Sequence, residues 1–389
     1  MSSPSASSLR PFRCLVIGGG VAGSCCALRL RKHGVSVLLV EKATFPRNKV
    51  CGCCIGGAGL EFLRSLGLES EVKQAGVDVD RWVGSLGGQR VEIPLPSGVA
   101  ISREKFDPML LEAARASGAE VRIPCRAIVR EMDDQRVRVE LQDDGNADGV
   151  SHSFDTVVVA GGLNVGGLSE FLPFLEVPHG PFGISWIAKS ENTTASNINH
   201  SEALERHVIY MACDDDGYVG LVQLEDGRVD IAAALRSGAD AAAVGTPRER
   251  VLAILQRSQF PSWKFHEETS CLTTPPLRRA RQPGAGRLLA IGDSAGYSEP
   301  FTGEGMTWAM QTGIAAADLI AAHTADPGLE SVGDRWQTEL PTLIRRNKLA
   351  CRAVTNLLRS SLARRAVGMT LAQWPSLAKP IIRHLSHGP

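Results

Sequence analysis

Short apolar runs, interrupted only by Ser36 and Thr156, punctuate the chain at residues 14–17, 35–40, 156–160 and 288–291. Runs of that length, rich in Val, Ile and Leu, predict strands buried on both faces, as in a parallel sheet. Between them the spacing changes. Ala27, Leu28 and Leu30 fall at helical intervals on a stretch that runs to Gly34, placed as its C-cap residue. Further helices are expected over 59–66, 101–117, 247–258 and 308–323. Alternating segments predict half-buried strands within 82–100 (turns at Gly87-Gly88 and Pro96-Ser97-Gly98), at 127–132 and 136–141, and at 178–189, 207–212 and 218–235. The polar stretch 143–153 reads as a hairpin tip. The segment 218–235 turns at Asp226-Gly227, which predicts a type I′ hairpin.

The first apolar run leads into Gly18-Gly19-Gly20-Val21-Ala22-Gly23, a G-x-G-x-x-G turn between a strand and a helix. Gly18 permits the tight turn, Gly20 lets the backbone approach a pyrophosphate, and Gly23 lets helix and strand pack closely. The pyrophosphate then lies on the positive end of the helix dipole. Glu41 closes the second strand 18 residues past Gly23, near the ~20 expected of an acid that holds a ribose hydroxyl. Together these features predict a dinucleotide site, without choosing between NAD and FAD.

Leu288-Leu289-Ala290-Ile291-Gly292-Asp293-Ser294-Ala295-Gly296 and the following Pro300, Phe301, Thr302, Gly303, Glu304, Gly305 and Met306 resemble the second flavin fingerprint of the FAD-dependent geranylgeranyl-reductase and aromatic-ring hydroxylase (p-hydroxybenzoate hydroxylase-like) superfamily. Three more segments carry the likeness. Pro46-Arg47-Asn48-Lys49-Val50-Cys51-Gly52 is similar to the flavin loop of the geranylgeranyl-reductase branch, whose Cys lies near the isoalloxazine. Arg103-Glu104-Lys105-Phe106-Asp107 is similar to an R-x-x-F-D segment whose Arg sits near FAD. Ala160-Gly161-Gly162 stands where hydroxylases of the superfamily carry an Asp-Gly pair linked to FAD and NADPH. Here the Asp position is Gly161, which argues against a directly NADPH-dependent hydroxylase.

The resemblance implies non-covalently bound FAD, held by Gly18, Gly20, Val21, Ala22, Gly23, Glu41, Lys42, Arg47, Cys51, Gly52, Arg103, Gly292, Asp293, Pro300, Gly303, Glu304, Gly305 and Met306. In the superfamily the Asp matching Asp293 holds the ribityl chain. Arg47 and Lys49 are candidates to neutralise the FAD diphosphate or a substrate anion. Cys51 is the candidate proton donor. The family usually has glycines where Cys53 and Cys54 stand. Three clustered cysteines invite a metal or redox reading, but adjacent Cys53 and Cys54 chelate poorly, and no metal is expected.

The implied fold is α/β: a Rossmann-like FAD-binding domain of the glutathione-reductase type, an interleaved antiparallel β-sheet substrate domain and a C-terminal helical region. The expected division is a disordered leader at 1–10, an FAD-binding domain from 11–80, 101–175 and 284–330, a substrate domain from 81–100 and 176–283, and a basic helical region at 331–389.

Composition adds boundaries. The 389 residues carry 42 basic and 42 acidic side chains, so no global field points to nucleic acid. The ten cysteines are scattered, no run is long enough to span a membrane, and the N-terminal stretch is Ser-rich, which predicts a reducing cytoplasmic setting. Charge is uneven, however. Residues 341–389 hold nine Lys or Arg and no acid. Leu343, Ile344, Leu349, Val354, Leu357, Leu358 and Leu362 interleave with them at roughly helical spacing. That pattern fits a peripheral face on an anionic membrane, or helices packed on the FAD domain with their charges outward.

These features lead to an FAD-dependent oxidoreductase that reduces a C=C bond of a hydrophobic molecule of isoprenoid, lipid or polyketide type. Electrons come from NADPH or a reduced partner protein, since no second nicotinamide motif is present. The alternatives are a monooxygenase acting on an aromatic or polyketide substrate, a flavin halogenase, whose W-x-W-x-I-P signature is absent, and a non-catalytic flavin-binding redox or membrane module.

Overall fold

The structure is a computed structural model and describes residues 13–143, 145–164, 166–190, 204–238, 245–297, 304–326 and 329–380. The expected leader at 1–10 lies outside the described residues, as do Pro300 and Gly303 and the basic residue Arg383.

The short apolar runs assemble as predicted. Cys14–Ile17 lies between Val37–Val40 and Thr156–Val159, parallel to both, and Leu288–Ala290 and Glu120–Arg122 extend the sheet on either side, also parallel. Gly284–Ala285 adds an antiparallel edge, giving six strands. The core strands are buried on both faces: helices Val21–Lys32, Arg103–Ala116 and Gly305–Ala325 pack together, and the three-stranded antiparallel sheet Cys125–Met132, Val137–Asp143 and Asn146–Phe154 joins the same core through Val129, Val137, Val139, Leu141 and Phe154. The first helix ends one residue earlier than expected. His33 is its C-cap, and Gly34 follows with φ +77°.

A second sheet of nine strands carries most of the alternating segments. Along its path run Gly296–Tyr297, Leu272–Arg281, Phe174–Ser190, Val229–Leu235, Gly217–Gln223, Val208–Asp214, Arg81–Leu86 and Gln89–Pro94, with Phe265–Glu267 beside Phe174–Ser190. Its pairings are antiparallel except one: Val208–Asp214 runs parallel to Arg81–Leu86. More than a hundred residues separate the two segments, so no tight turn imposes opposite directions. The sheet is buried on both faces. Outside lie the helix Pro247–Gln256 and a cluster of Tyr210, Phe260 and Trp263 rings. The inner face turns toward the six-stranded unit.

Two local expectations need correction. The stretch 143–153 is mostly strand, not hairpin tip: Asn146–Phe154 pairs with Val137–Asp143. And the loop at Asp226-Gly227 is not type I′. Only Gly227 has positive φ (+84°), and its N–H reaches the Leu224 carbonyl at 3.0 Å. This is the three-residue loop, a type I turn followed by a left-handed glycine.

Beyond the flavin-side helix come Val332–Arg359 and Ser361–Gln373, then a turn at Pro375–Ala378. Trp336, fully buried, donates its indole N–H to the Ala290 carbonyl at 2.9 Å and fastens the first of these helices to the six-stranded unit. The second lies along Arg81–Leu86 and Gln89–Pro94, the far edge of the nine-stranded sheet. The region therefore bridges both sheets.

Candidate active site

One cavity of about 440 Å³ runs between the two sheets. Its polar end is built by the glycine turn. Gly18 sits at φ +110°, and a Cβ there would lie 2.5 Å from the Ala160 carbonyl oxygen. A Cβ on Gly23 would lie 1.9 Å from the Gly18 oxygen, so helix and turn touch backbone to backbone. Gly20, Val21 and Ala22 border the cavity at the N-terminus of the helix. This cradle, with room only for hydrogen at its contact points, fits a pyrophosphate.

Glu41 is buried at the strand end and accepts three hydrogen bonds: from the Gly19 N–H (2.9 Å), the Ala43 N–H (2.9 Å) and Arg47 (2.8 Å). Arg47 stacks over Phe45 and is spent on Glu41; it does not border the cavity, and Lys42 is exposed. The cation that faces the cradle is Lys49. Its Nζ lies 3.0 Å from where a Gly20 Cβ would be. Burial and the neighbouring Arg103 lower its pKa to about 8.

Beyond the cradle, Cys51, Gly52, Arg103, Asp293, Glu304, Gly305 and Met306 line the cavity. Arg103 forms a bidentate pair with Asp107 (2.6 and 2.8 Å), and Asp107 is fully buried. The guanidinium charge also favours the Cys51 thiolate. Cys51 is held down to about 6, first by a hydrogen bond from the Cys53 thiol and then by Arg103, against the cost of burial. Asp293 is pushed up to about 6 by burial, with Lys49 and Arg103 opposing. Glu304 sits at the N-cap of Gly305–Ala325 and accepts from the Cys351 thiol at 3.3 Å. Gly292 holds the turn beneath it, its N–H on Thr312 Oγ1 at 2.9 Å. Gly161 and Gly162 lie beside this turn, where Ser294 Oγ accepts from the Gly162 N–H at 2.9 Å. None of the ten cysteines forms a disulfide.

The other end of the cavity is apolar. Trp82, Leu86, Ile93, Met211 and Tyr218 come from the nine-stranded sheet; Val354, Leu358, Val367, Leu371 and Ala378 come from the basic helical region. Periodicity had revealed an apolar face there, but not that it walls this chamber. Sequence reasoning also missed Asp230, buried next to Cys53. Its only sign was an acid inside the apolar run Val229-Asp230-Ile231-Ala232-Ala233-Ala234-Leu235.

A glycine cradle on a helix N-terminus, a long helix aimed at the same cavity, and an apolar chamber beyond define an FAD-binding oxidoreductase. A family profile described as an FAD binding domain matches residues 12–163. The menaquinone reductase of Mycolicibacterium smegmatis is 26% identical over 348 residues, 84% of this chain and 79% of the relative. The digeranylgeranylglycerophospholipid reductase of Methanosphaerula palustris is 27% identical over 330 residues, 78% of this chain and 75% of the relative. Among solved structures, p-nitrophenol 4-monooxygenase PnpA from Pseudomonas putida shares the fold with a TM-score of 0.76 at 15% identity, covering 96% of this chain and 97% of the other. Residues 12–163 carry the FAD binding domain, and with its reductase relatives this makes the chain an FAD-dependent oxidoreductase.

Proposed function

We infer that this enzyme saturates a C=C bond in a hydrophobic, lipid-like molecule of isoprenoid type. The observation that carries the reading is the cavity itself. It joins a nucleotide cradle to a chamber walled by Trp82, Leu86, Ile93, Val354 and Leu371, with a thiol, Cys51, where the two meet. A long apolar ligand gains roughly 25 cal/mol for each Å² it buries there. The two reductases above, similar over most of their length, support a substrate of this class. When bound, FAD supplies hydride-transfer chemistry. Gly20, Val21 and Ala22 would take its pyrophosphate, Lys49 would balance the phosphate charge, and Asp293 would hold the ribityl chain. Cys51 provides the proton for the second carbon of the double bond from its thiol form, the minor species at neutral pH given its value of about 6. NADPH or a reduced partner protein provides the electrons.

The same reading places the enzyme at an anionic membrane surface. Leu349, Leu362, Met369, Trp374 and Leu377 are more than half exposed, and the exposed Arg345, Arg346, Arg352, Arg359, Arg365 and Lys379 interleave with them along the chain. No acid interrupts the segment. Apolar side chains flanked by cations suit a lipid interface, and the helices that present them also wall the chamber. Among the described residues no helix is long and apolar enough to cross a membrane.

The test has two parts. The visible spectrum of the purified protein is recorded before and after anaerobic NADPH: bleaching marks a self-sufficient enzyme, and an unchanged yellow spectrum points to a partner donor. Chemically reduced holoenzyme is then given a polyprenyl substrate without oxygen, and the product is weighed. A gain of two hydrogen atoms per double bond supports the reading. No reduction, with substrate-dependent oxygen uptake in air instead, replaces it with a monooxygenase.

A further inference from the structure

The helix Ser361–Gln373 sits on the edge of the nine-stranded sheet closer than side chains would allow. Its inward face carries Arg364, Val367, Gly368 and Leu371, which fall at helical spacing. A Cβ at Gly368 would lie 2.2 Å from the Leu86 carbonyl oxygen, and a Cβ at Gly87 would lie 2.6 Å from the Arg365 Cα. Gly87 also has φ +56°, in the left-handed region that glycine adopts freely. Helix and turn therefore meet backbone on backbone. Arg364 fixes the same helix nearer its start. Its side chain is 8% exposed, and it donates to the Leu358 carbonyl at 2.9 Å and to Asp215 at 2.6 Å. Asp215 belongs to the turn between Val208–Asp214 and Gly217–Gln223. Between and beyond these anchors, Val367 and Leu371 border the apolar end of the cavity, packed in one cluster with Leu86, Ile93 and Ala378.

We propose that Leu371 and Val367 form a stop that limits the length of apolar chain the cavity takes, and that Gly368 sets where the stop stands. The proposal deepens the reductase reading and rests on its apolar ligand. A chain with its reactive part at the flavin end directs its tail to this wall. Each further carbon that fits adds about fourfold in affinity. One carbon too many must push against a helix seated on backbone, and the glycine contact leaves no soft side chain to give way. One too few leaves the apolar surface of Val367 and Leu371 uncovered. A methyl group added at 368 lifts the helix by roughly 1 Å before ordinary contact is restored. That draws Val367 and Leu371 back and deepens the chamber. Leu371 is the specificity-determining residue; Gly368 is a positioning residue that acts through it.

The probes are saturated straight-chain alcohols, a series in which each member is one carbon longer than the last, titrated into the holoenzyme by calorimetry. They carry no double bond, so binding is read without turnover. In the native protein affinity should rise about fourfold per carbon to an optimum length and fall beyond it. Leu371→Ala leaves the glycine seat intact and should move the optimum to longer alcohols, and Leu371→Phe should move it to shorter ones. Gly368→Ala should also move it longer, with little change for alcohols well short of the optimum. That pattern separates a displaced stop from a damaged fold, which would weaken every length alike. Native affinity that climbs without an optimum, or an optimum that both Leu371 variants leave in place, overturns the stop. A loss in Gly368→Ala that is the same at every length overturns the role of the seat. Failure of the reductase reading shows separately, as a reduced holoenzyme that saturates no double bond while the length optimum is present and moves as described.

Discussion

Replacing Arg103 by Met removes one half of an ion pair whose other half has no exposure at all. Asp107 is fully buried, the Arg103 side chain is 10% exposed, and two hydrogen bonds of 2.6 and 2.8 Å join them. With charge centres about 4 Å apart and an effective dielectric near 20, their attraction is about 4 kcal/mol. Breaking one side of a buried pair costs about 3–5 kcal/mol because the remaining charge is stranded. The two figures agree, so Arg103→Met should lose stability of that order in urea unfolding of the FAD-free protein, followed by tryptophan fluorescence. The double variant Arg103→Met with Asp107→Leu removes both charges from the same space and should return to within about 1 kcal/mol of the native protein. A double variant as unstable as the single one would refute the reasoning, because the loss would then lie in packing and not in a stranded carboxylate. Cys51 gives a second reading: without the guanidinium its titration should move above its value of about 6.

Lys49→Met should weaken FAD binding about 10–100-fold by fluorescence titration, the worth of one charge-assisted contact. FAD affinity of the native protein should fall as pH rises through about 8, where Lys49 loses its charge, and the variant should lack that step. Asp293→Asn should stabilise the FAD-free protein. The folded carboxyl is raised to about 6, so its contribution is fully favourable below the unfolded value near 4 and is lost as pH rises through 6. A gain of roughly 1–3 kcal/mol at pH 7.5 that vanishes at pH 4 is expected in thermal melts, together with poorer flavin retention. Gly313→Ala sets a Cβ 2.4 Å from the Ala22 carbonyl oxygen. It should cost about 1–3 kcal/mol and release FAD on gel filtration. Liposome flotation should show binding to anionic but not neutral vesicles, lost at high salt and reduced by Arg345→Glu with Arg346→Glu.

The nucleotide end was legible in the sequence because its chemistry acts through backbone. A turn that meets a pyrophosphate leaves no room for side chains at Gly18 and Gly23, and that requirement is written locally. The buried parallel strands were legible for a similar reason, since almost nothing but apolar side chains survives between two packed layers. Pairing across long separations was not. No residue near 81 or 208 states that Arg81–Leu86 and Val208–Asp214 run parallel. Nor did the Asp226-Gly227 dipeptide separate two hairpin loops that both place Gly in a left-handed position. Arg47 and Lys49 are two residues apart and chemically alike, so only the structure assigns one to Glu41 and the other to the cradle. Asp230 was hidden because its meaning depends on a loop more than 170 residues earlier.

The chamber wall contributed by Val354, Leu358, Val367 and Leu371 has a consequence for descent. These side chains shape the apolar end while the cradle is built from residues near the start of the first sheet. Lengthening, shortening or refilling the wall changes which molecules fit, and the flavin's anchorage stays as it was. A lineage can therefore drift from one apolar ligand to another by small exchanges in two helices, keeping the same redox engine throughout.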